Sequence, residues 1–115
     1  SLRGDLSALA RNLAGRLTSD RWATIVPSML DAAERDPELA DVHVRIHDGF
    51  MEPWYAVIDR AKRRGELPSD RDATEIVAAV VGPLYYRRWF SRQPLDEAFT
   101  RAIVDDVVAG GKALN

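Results

Sequence analysis

Leu2, Leu6, Leu9, Leu13 and Leu17 recur at steps of three and four, with Ala10 and Ala14 beside them and Arg3, Asp5, Arg11 and Arg16 off the stripe. That period lines one face of an amphipathic helix. Ser19 or Asp20 offers a cap for a second helix, whose apolar set Trp22, Ile25, Val26, Met29, Leu30 and Ala33 keeps helical spacing. Pro27 falls inside it and predicts a kink, because proline removes one backbone donor and crowds the carbonyl of Ala23. Asp36-Pro37-Glu38 opens a third helix with a cap residue, a proline whose missing N–H does no harm there, and an acid at the positive end of the helix dipole. Its stripe, Leu39, Val42, Ile46, Phe50, Trp54, Val57 and Ala61, holds phase past Gly49 and Pro53. One kinked helix or two nearly collinear ones therefore run to about Arg64, with Gly65 as the stop.

Asp72 and Glu75 have capping-box spacing and start a fourth helix containing Val80 to Phe90. Ser91 to Pro94 reads as a turn. From Asp96 a fifth helix carries Phe99, Ala102, Ile103, Val104, Val107 and Val108, with Gly110-Gly111 as its predicted end. Nothing reads as a strand. The fold class is all-α, a bundle of five or six helices in a single domain over residues 1–115.

The fourth helix breaks the one-sided pattern. Ile76, Val77, Val80, Val81, Leu84 and Tyr85 cover most of its circumference, and a helix apolar all round calls for burial all round. A chain of 115 residues has few other elements to supply that cover. A twofold partner does: the fourth and fifth helices would meet their copies as an intersubunit four-helix bundle. Ile76, Val80, Leu84, Arg87, Phe99, Ile103 and Val107 are the expected interface. Val104 and Val108 would then face the chain's own core. Arg87 and Arg88 have Asp96, Asp105 or Asp106 as candidate acids across the dimer.

Composition narrows the chemistry. Hydrophobic residues at 46% and charged residues at 30% are those of a globular domain, which at this length buries roughly two-thirds of its unfolded surface. The absence of cysteine excludes a disulfide framework, a thiolate nucleophile and a cysteine-based zinc site. A formal charge of −2 gives no net attraction to nucleic acid, although fourteen arginines leave room for a local patch. No apolar run is long enough to cross a bilayer and no signal-peptide pattern opens the chain, so a cytoplasmic setting with no membrane contact is expected. The chain begins without methionine and directly in a helical pattern, as a fragment of a longer protein would.

Gly65-Glu66-Leu67, then Asp72, then Val81-Gly82-Pro83-Leu84-Tyr85-Tyr86-Arg87, then Gln93-Pro94-Leu95-Asp96, in that order and spacing, resemble the C-terminal half of TetR/AcrR-type transcriptional repressors. The resemblance covers essentially the whole chain. It implies a homodimer formed through the last two helices and a small apolar or aromatic effector held inside each subunit. Operator DNA would be bound only through an N-terminal helix-turn-helix domain absent from these residues. Carried over to this sequence, the effector cavity would be lined by Trp22, Val26 and Met29, by Phe50, Trp54 and Ile58, and by Val81 and Tyr85, with His43 as a polar contact within or near it. Such residues also make ordinary core.

Pro27, Gly49 and Pro53 either open the cavity by splaying helices or simply bend them round the core. His43 and His47, one turn apart, have a spacing two metal ligands use, with Asp48 or Glu52 as a third. No HExxH pattern completes a site, so no metal and no cofactor are expected. A pocket imidazole would instead make effector binding depend on pH near neutrality. Arg60, Lys62, Arg63 and Arg64 meet the negative end of a helix dipole, a structural use. No nucleophile-base pair or phosphate loop appears, so an enzyme is not expected. The alternative function is a free-standing helical protein-interaction module that docks a partner helix on the apparent dimer face.

Overall fold

The computed structural model describes residues 1–19 and 21–113 and is helical throughout: α1 Leu2–Ser19, α2 Trp22–Arg35, α3 Pro37–Arg63, α4 Ala73–Tyr86, a π-helical turn Arg87–Ser91, and α5 Glu97–Ala113. No strand occurs among the described residues. α3 is a single helix through Gly49 and Pro53.

Local chemistry accounts for most of the boundaries. Asp36 accepts the Glu38 N–H at 2.9 Å, with Pro37 at the first helical position. α3 closes with Gly65 at φ 80, where the Gly65 and Glu66 N–H groups donate to the carbonyls of Lys62 and Ala61. This pair of bonds is a Schellman end, which needs the left-handed conformation glycine adopts freely. Asp72 accepts from Thr74 through both its N–H and its hydroxyl, and these bonds hold the carboxyl below its ordinary value. Glu75 pairs with Arg71 at 3.4 Å. Asp96 accepts the Phe99 N–H at 2.9 Å and starts α5.

Two boundaries differ from expectation, at Ser19 and at Gly110-Gly111. Ser19 belongs to the last turn of α1, its hydroxyl donating to the Gly15 carbonyl, while Asp20 lies outside the described residues. α2 runs through Pro27 without a break. Gly110 and Gly111 do not end α5, which continues to Ala113. Gly111 is buried, and a Cβ there would lie 3.0 Å from Leu67 Cδ2, so a close approach of α5 to the chain after α3 explains the glycine better than a stop.

α1 is the hub, packing on α2, α3, α4 and α5. Leu2, Leu6, Leu13 and Leu17 are buried, and Val57, Ile58 and Ala61 of α3, Val77 and Val81 of α4, and Val104 and Val108 of α5 close the core with them. The Leu2 N–H donates to Glu66 at 2.8 Å, Arg64 bonds the same carboxylate at 2.9 Å, and Arg3 pairs with Asp105. Arg63 pairs with Asp59 at 3.1 Å, in keeping with a structural use for the basic cluster.

The molecule measures 42 × 31 × 19 Å, so along its thinnest direction it is about two helices deep. This shape corrects the expectation for α4. Ile76, Val80 and Leu84 are buried inside the chain at 2%, 0% and 0% exposure, which leaves almost no surface for a second copy to meet. The outward face carries Ala78, Ala79, Gly82 and Tyr86, all exposed, with Pro83 half-buried. Small residues and a proline, not large aliphatics, are what α4 offers to solvent. Phe99, Ile103 and Val107 of α5 are half-buried on the same side, as is Arg87. The Arg87 guanidinium stacks 3.5 Å from the Phe99 ring centroid and donates to the Pro94 carbonyl, so it has partners within its own chain.

Candidate functional site

The N-terminal half of α3 is covered mainly by α2. Leu39, Val42, Ile46 and Phe50 remain exposed although they continue the stripe that is buried from Met51 onward. Where this two-helix arm leaves the body, a cavity of about 410 Å³ opens between α1, α2, α3, α4 and the π-helical turn. That volume lies in the range of small-molecule sites.

Trp22 and Val26 of α2, His43, Phe50 and Trp54 of α3, and Tyr85 of α4 all line it, so the structure brings six of the nine expected residues together. Met29, Ile58 and Val81 stand outside the lining. Ile58 and Val81 are core residues, and Met29 is half-buried elsewhere on α2. α1 adds Leu9, Asn12, Leu13 and Arg16; α3 adds Val44, Ile46, His47, Met51 and Pro53; Leu30, Trp89 and Phe90 complete the wall. All three tryptophans of the chain face this one space.

The rings make two groups. Trp22 and Phe50 stack with centroids 6.0 Å apart, and the Arg16 guanidinium lies 5.0 and 5.5 Å from them. His43 and His47 stack at 6.5 Å, His47 meets Tyr85 at 6.3 Å, and Tyr85 meets Trp89 at 5.1 Å. Tyr85 is therefore the inward tyrosine, and burial raises its hydroxyl pKa, opposed by Arg16. Tyr86 faces outward against Phe90 at 5.9 Å. Two buried polar atoms in the wall, Trp22 Nε1 and His43 Nδ1, have no hydrogen-bond partner among the described residues. No group of three acidic or histidine side chains suited to a metal occurs among those residues either.

Burial lowers the His47 pKa, the neighbouring His43 lowers it further, and Asp48 opposes them. A base with a depressed folded pKa costs stability as pH falls, because the unfolded chain takes up the proton first, from about pH 6.5 downward. His47→Gln removes that contribution. Its melting temperature is expected to drop less than that of the unmodified chain between pH 7.5 and 5.5; equal drops would refute the assignment.

Two side chains of the π-helical turn grip the junction of α1 and α2. Arg88 Nε donates to the Leu17 carbonyl at 2.7 Å, among the last carbonyls of α1, which lack helical partners. Trp89 Nε1 donates to the Ala23 carbonyl at 3.3 Å. That carbonyl would have accepted the N–H of residue 27, which proline lacks. Pro27 thus leaves an acceptor that a cavity tryptophan satisfies. Trp89→Phe is expected to destabilise the chain by about 1 to 3 kcal/mol, and by less when Pro27→Ala supplies a backbone donor instead. Chemical denaturation of the four variants measures the coupling; equal costs in both backgrounds would show that the bond contributes nothing.

Residues 1–107 match the family model described as tetracyclin repressor-like, C-terminal domain. The chain belongs to this family. A DNA-binding transcriptional repressor, TetR, of Mycobacteroides abscessus is 34% identical over 87 residues, covering 74% of the chain and 45% of the relative. YdeS of Bacillus subtilis, an uncharacterised HTH-type transcriptional regulator, is 25% identical over 113 residues, covering 95% of the chain and 55% of the relative. The chain thus spans about half the length of these curated relatives. The crystal structure of the TetR family transcription regulator SCO0332 shares the fold, with a TM-score of 0.85 at 24% identity, over 96% of the chain and 61% of that structure.

The chain is thus a tetracyclin repressor-like C-terminal domain. No helix among its described residues is long and apolar enough to cross a membrane. Sequence reasoning missed the α1 wall and Trp89. Asn12 and Arg16 sit beside the leucine stripe, which hints at a second contact face on α1. The role of Trp89 rests on a bond between residues 66 positions apart, for which the sequence carries no local sign.

Proposed function

We propose that this domain binds a small apolar effector in the 410 Å³ cavity and forms a homodimer through the outward face of α4 and α5. Operator binding would reside in other parts of a cytoplasmic repressor, since the chain covers 45% of the M. abscessus relative that is named as DNA-binding. The observation that carries this reading is the cavity itself, on which three tryptophans and two histidines converge from α2, α3 and the π-helical turn. α1 leads toward the preceding part of the chain, and α4 backs onto the proposed dimer face.

The ligand acts by population shift. It favours one arrangement of the dimer, and the spacing of the two DNA-reading heads changes with it. α1 is the lever, and the Arg88 and Trp89 bonds join its end to the cavity wall. The dimer face we propose consists of the half-buried Phe99, Ile103, Val107 and Arg87 with the exposed Ala79, Gly82 and Tyr86, in place of the buried Ile76, Val80 and Leu84. Small residues there let two helices approach closely. The test is operator affinity of the full-length regulator, with and without a compound found in the purified protein by native mass spectrometry. A fall in affinity at saturation is expected, and an unchanged affinity would contradict the mechanism.

A further inference from the structure

We infer that α3 hinges between Gly49 and Pro53, so that the arm made of α2 and the N-terminal half of α3 swings towards the π-helical turn and closes the cavity over its ligand. This rests on the effector reading above and supplies the motion that seals the site.

Of the nine large apolar side chains exposed among the described residues, five line the cavity: Leu30 of α2, Val44, Ile46 and Phe50 of α3, and Phe90 of the π-helical turn. Its rim is therefore apolar on the arm and on the body alike. A small-molecule site buries most of its ligand's surface, so an apolar rim left in water marks an arrangement with surface still to bury. The backbone has a joint where such closure needs one. Pro53 has no N–H, so the Gly49 carbonyl lacks its helical donor, and glycine itself favours helix less than any residue but proline. Close packing does not call for that glycine, because a Cβ there would meet nothing within 4 Å. Nor is there a core to bend around: none of residues 37–50 is buried, and burial begins at Met51, between Gly49 and Pro53. In α2 the carbonyl freed by Pro27 is that of Ala23, held at 3.3 Å by Trp89 Nε1 of the body. Both interruptions adjoin, in sequence, the stacked Trp22 and Phe50, so the two helices of the arm pivot at one level. Glu38 precedes Gly49 by eleven residues, roughly 16 Å of helix, and a swing of about 20° moves that tip by roughly 6 Å.

The chain has no cysteine, so pairs of spin labels can be placed without background. Glu38→Cys with Ser91→Cys spans arm and turn, and Arg60→Cys with Ser91→Cys lies within the body; all three sites are exposed. Labelled chains are diluted with unlabelled ones, so that only distances within a chain are read. Calorimetric titration with 2-acetylnaphthalene and 2-isopropylnaphthalene, flat apolar probes, sets the saturating concentration. Electron–electron double resonance at saturation is expected to show the first distance shortened by roughly 3 to 6 Å and its distribution narrowed, with the second unchanged. Gly49→Ala combined with Pro53→Ala restores the missing donor and favours helix, so this variant should fold, lose the shift, and show a narrower arm distribution even without ligand. A bound probe that leaves the first distance unchanged, equal changes in both distances, or a shift that survives in the variant would overturn the hinge while leaving the effector cavity standing. Absence of binding by both probes would instead count against the cavity as an effector site, and the unliganded comparison would then decide the hinge: an arm distribution no broader than the variant's overturns it.

Discussion

Replacing Ile103 by aspartate is expected to turn a dimer of this chain into a folded monomer of 12.8 kDa. Ile103 is half-buried, about 100° round α5 from the fully buried Val104, and packs at the edge of the core. Within one chain the change therefore puts a carboxylate near solvent at small cost. Between two copies it would trap a charge against Phe99, Val107 and their counterparts, where desolvation has no compensating partner. Light scattering after size exclusion should give twice the chain mass for the unmodified protein and the single mass for Ile103→Asp, with helical circular dichroism unchanged. An unmodified protein that is already monomeric at micromolar concentration would refute the dimer.

Leu84→Ala carries the second large effect, and it separates two readings of the same helix. Were Leu84 an interface residue, its truncation would weaken association and leave the monomer intact. Leu84 is instead completely buried where α4 meets the rest of the core. The substitution should cost about 2 to 5 kcal/mol of folding stability through lost transfer energy and a residual cavity. A domain typically has about 5 to 15 kcal/mol in all, so a visible loss of folded population is expected on warming. Urea denaturation should show a lower midpoint with an unchanged slope. A loss below about 0.5 kcal/mol, within the range of surface substitutions, would place Leu84 at the surface after all.

Legibility in the sequence followed the range of the interactions. The Asp36-Pro37 start, the Gly65 stop and the Asp72 cap are settled within a few residues of chain, and each was readable. Helical phase also groups residues correctly: Ile76, Val80 and Leu84 do share a face. What phase cannot supply is which neighbour that face meets. Large aliphatics went to the chain's own core, while the small Ala79 and Gly82, with the aromatic Tyr86, faced out. The exposed stripe on α3 has a similar origin, since periodicity records an apolar face without saying how much of it a partner covers.

The cavity divides along the same line. Trp22, Phe50 and Trp54 lie on apolar stripes and were accessible to pattern reasoning aided by the family resemblance. Arg16, Trp89 and the grip of Arg88 on Leu17 depend on a π-helical turn folding back over residues about 70 positions earlier. Pro27 is the instructive case. Read locally it is a helix defect; in the fold its missing donor leaves the Ala23 carbonyl to a tryptophan of the cavity wall.

The claim at the centre is that this cavity receives a small apolar molecule. Methyl-group NMR during titration with 2-isopropylnaphthalene and 2-acetylnaphthalene tests it most directly, because methyls mark both candidate surfaces. Saturable shifts at Leu9, Val26 and Met51, with Ile103 and Val107 unmoved, are the expected result. Unperturbed cavity methyls with both compounds, or shifts confined to Ile103 and Val107, would contradict it.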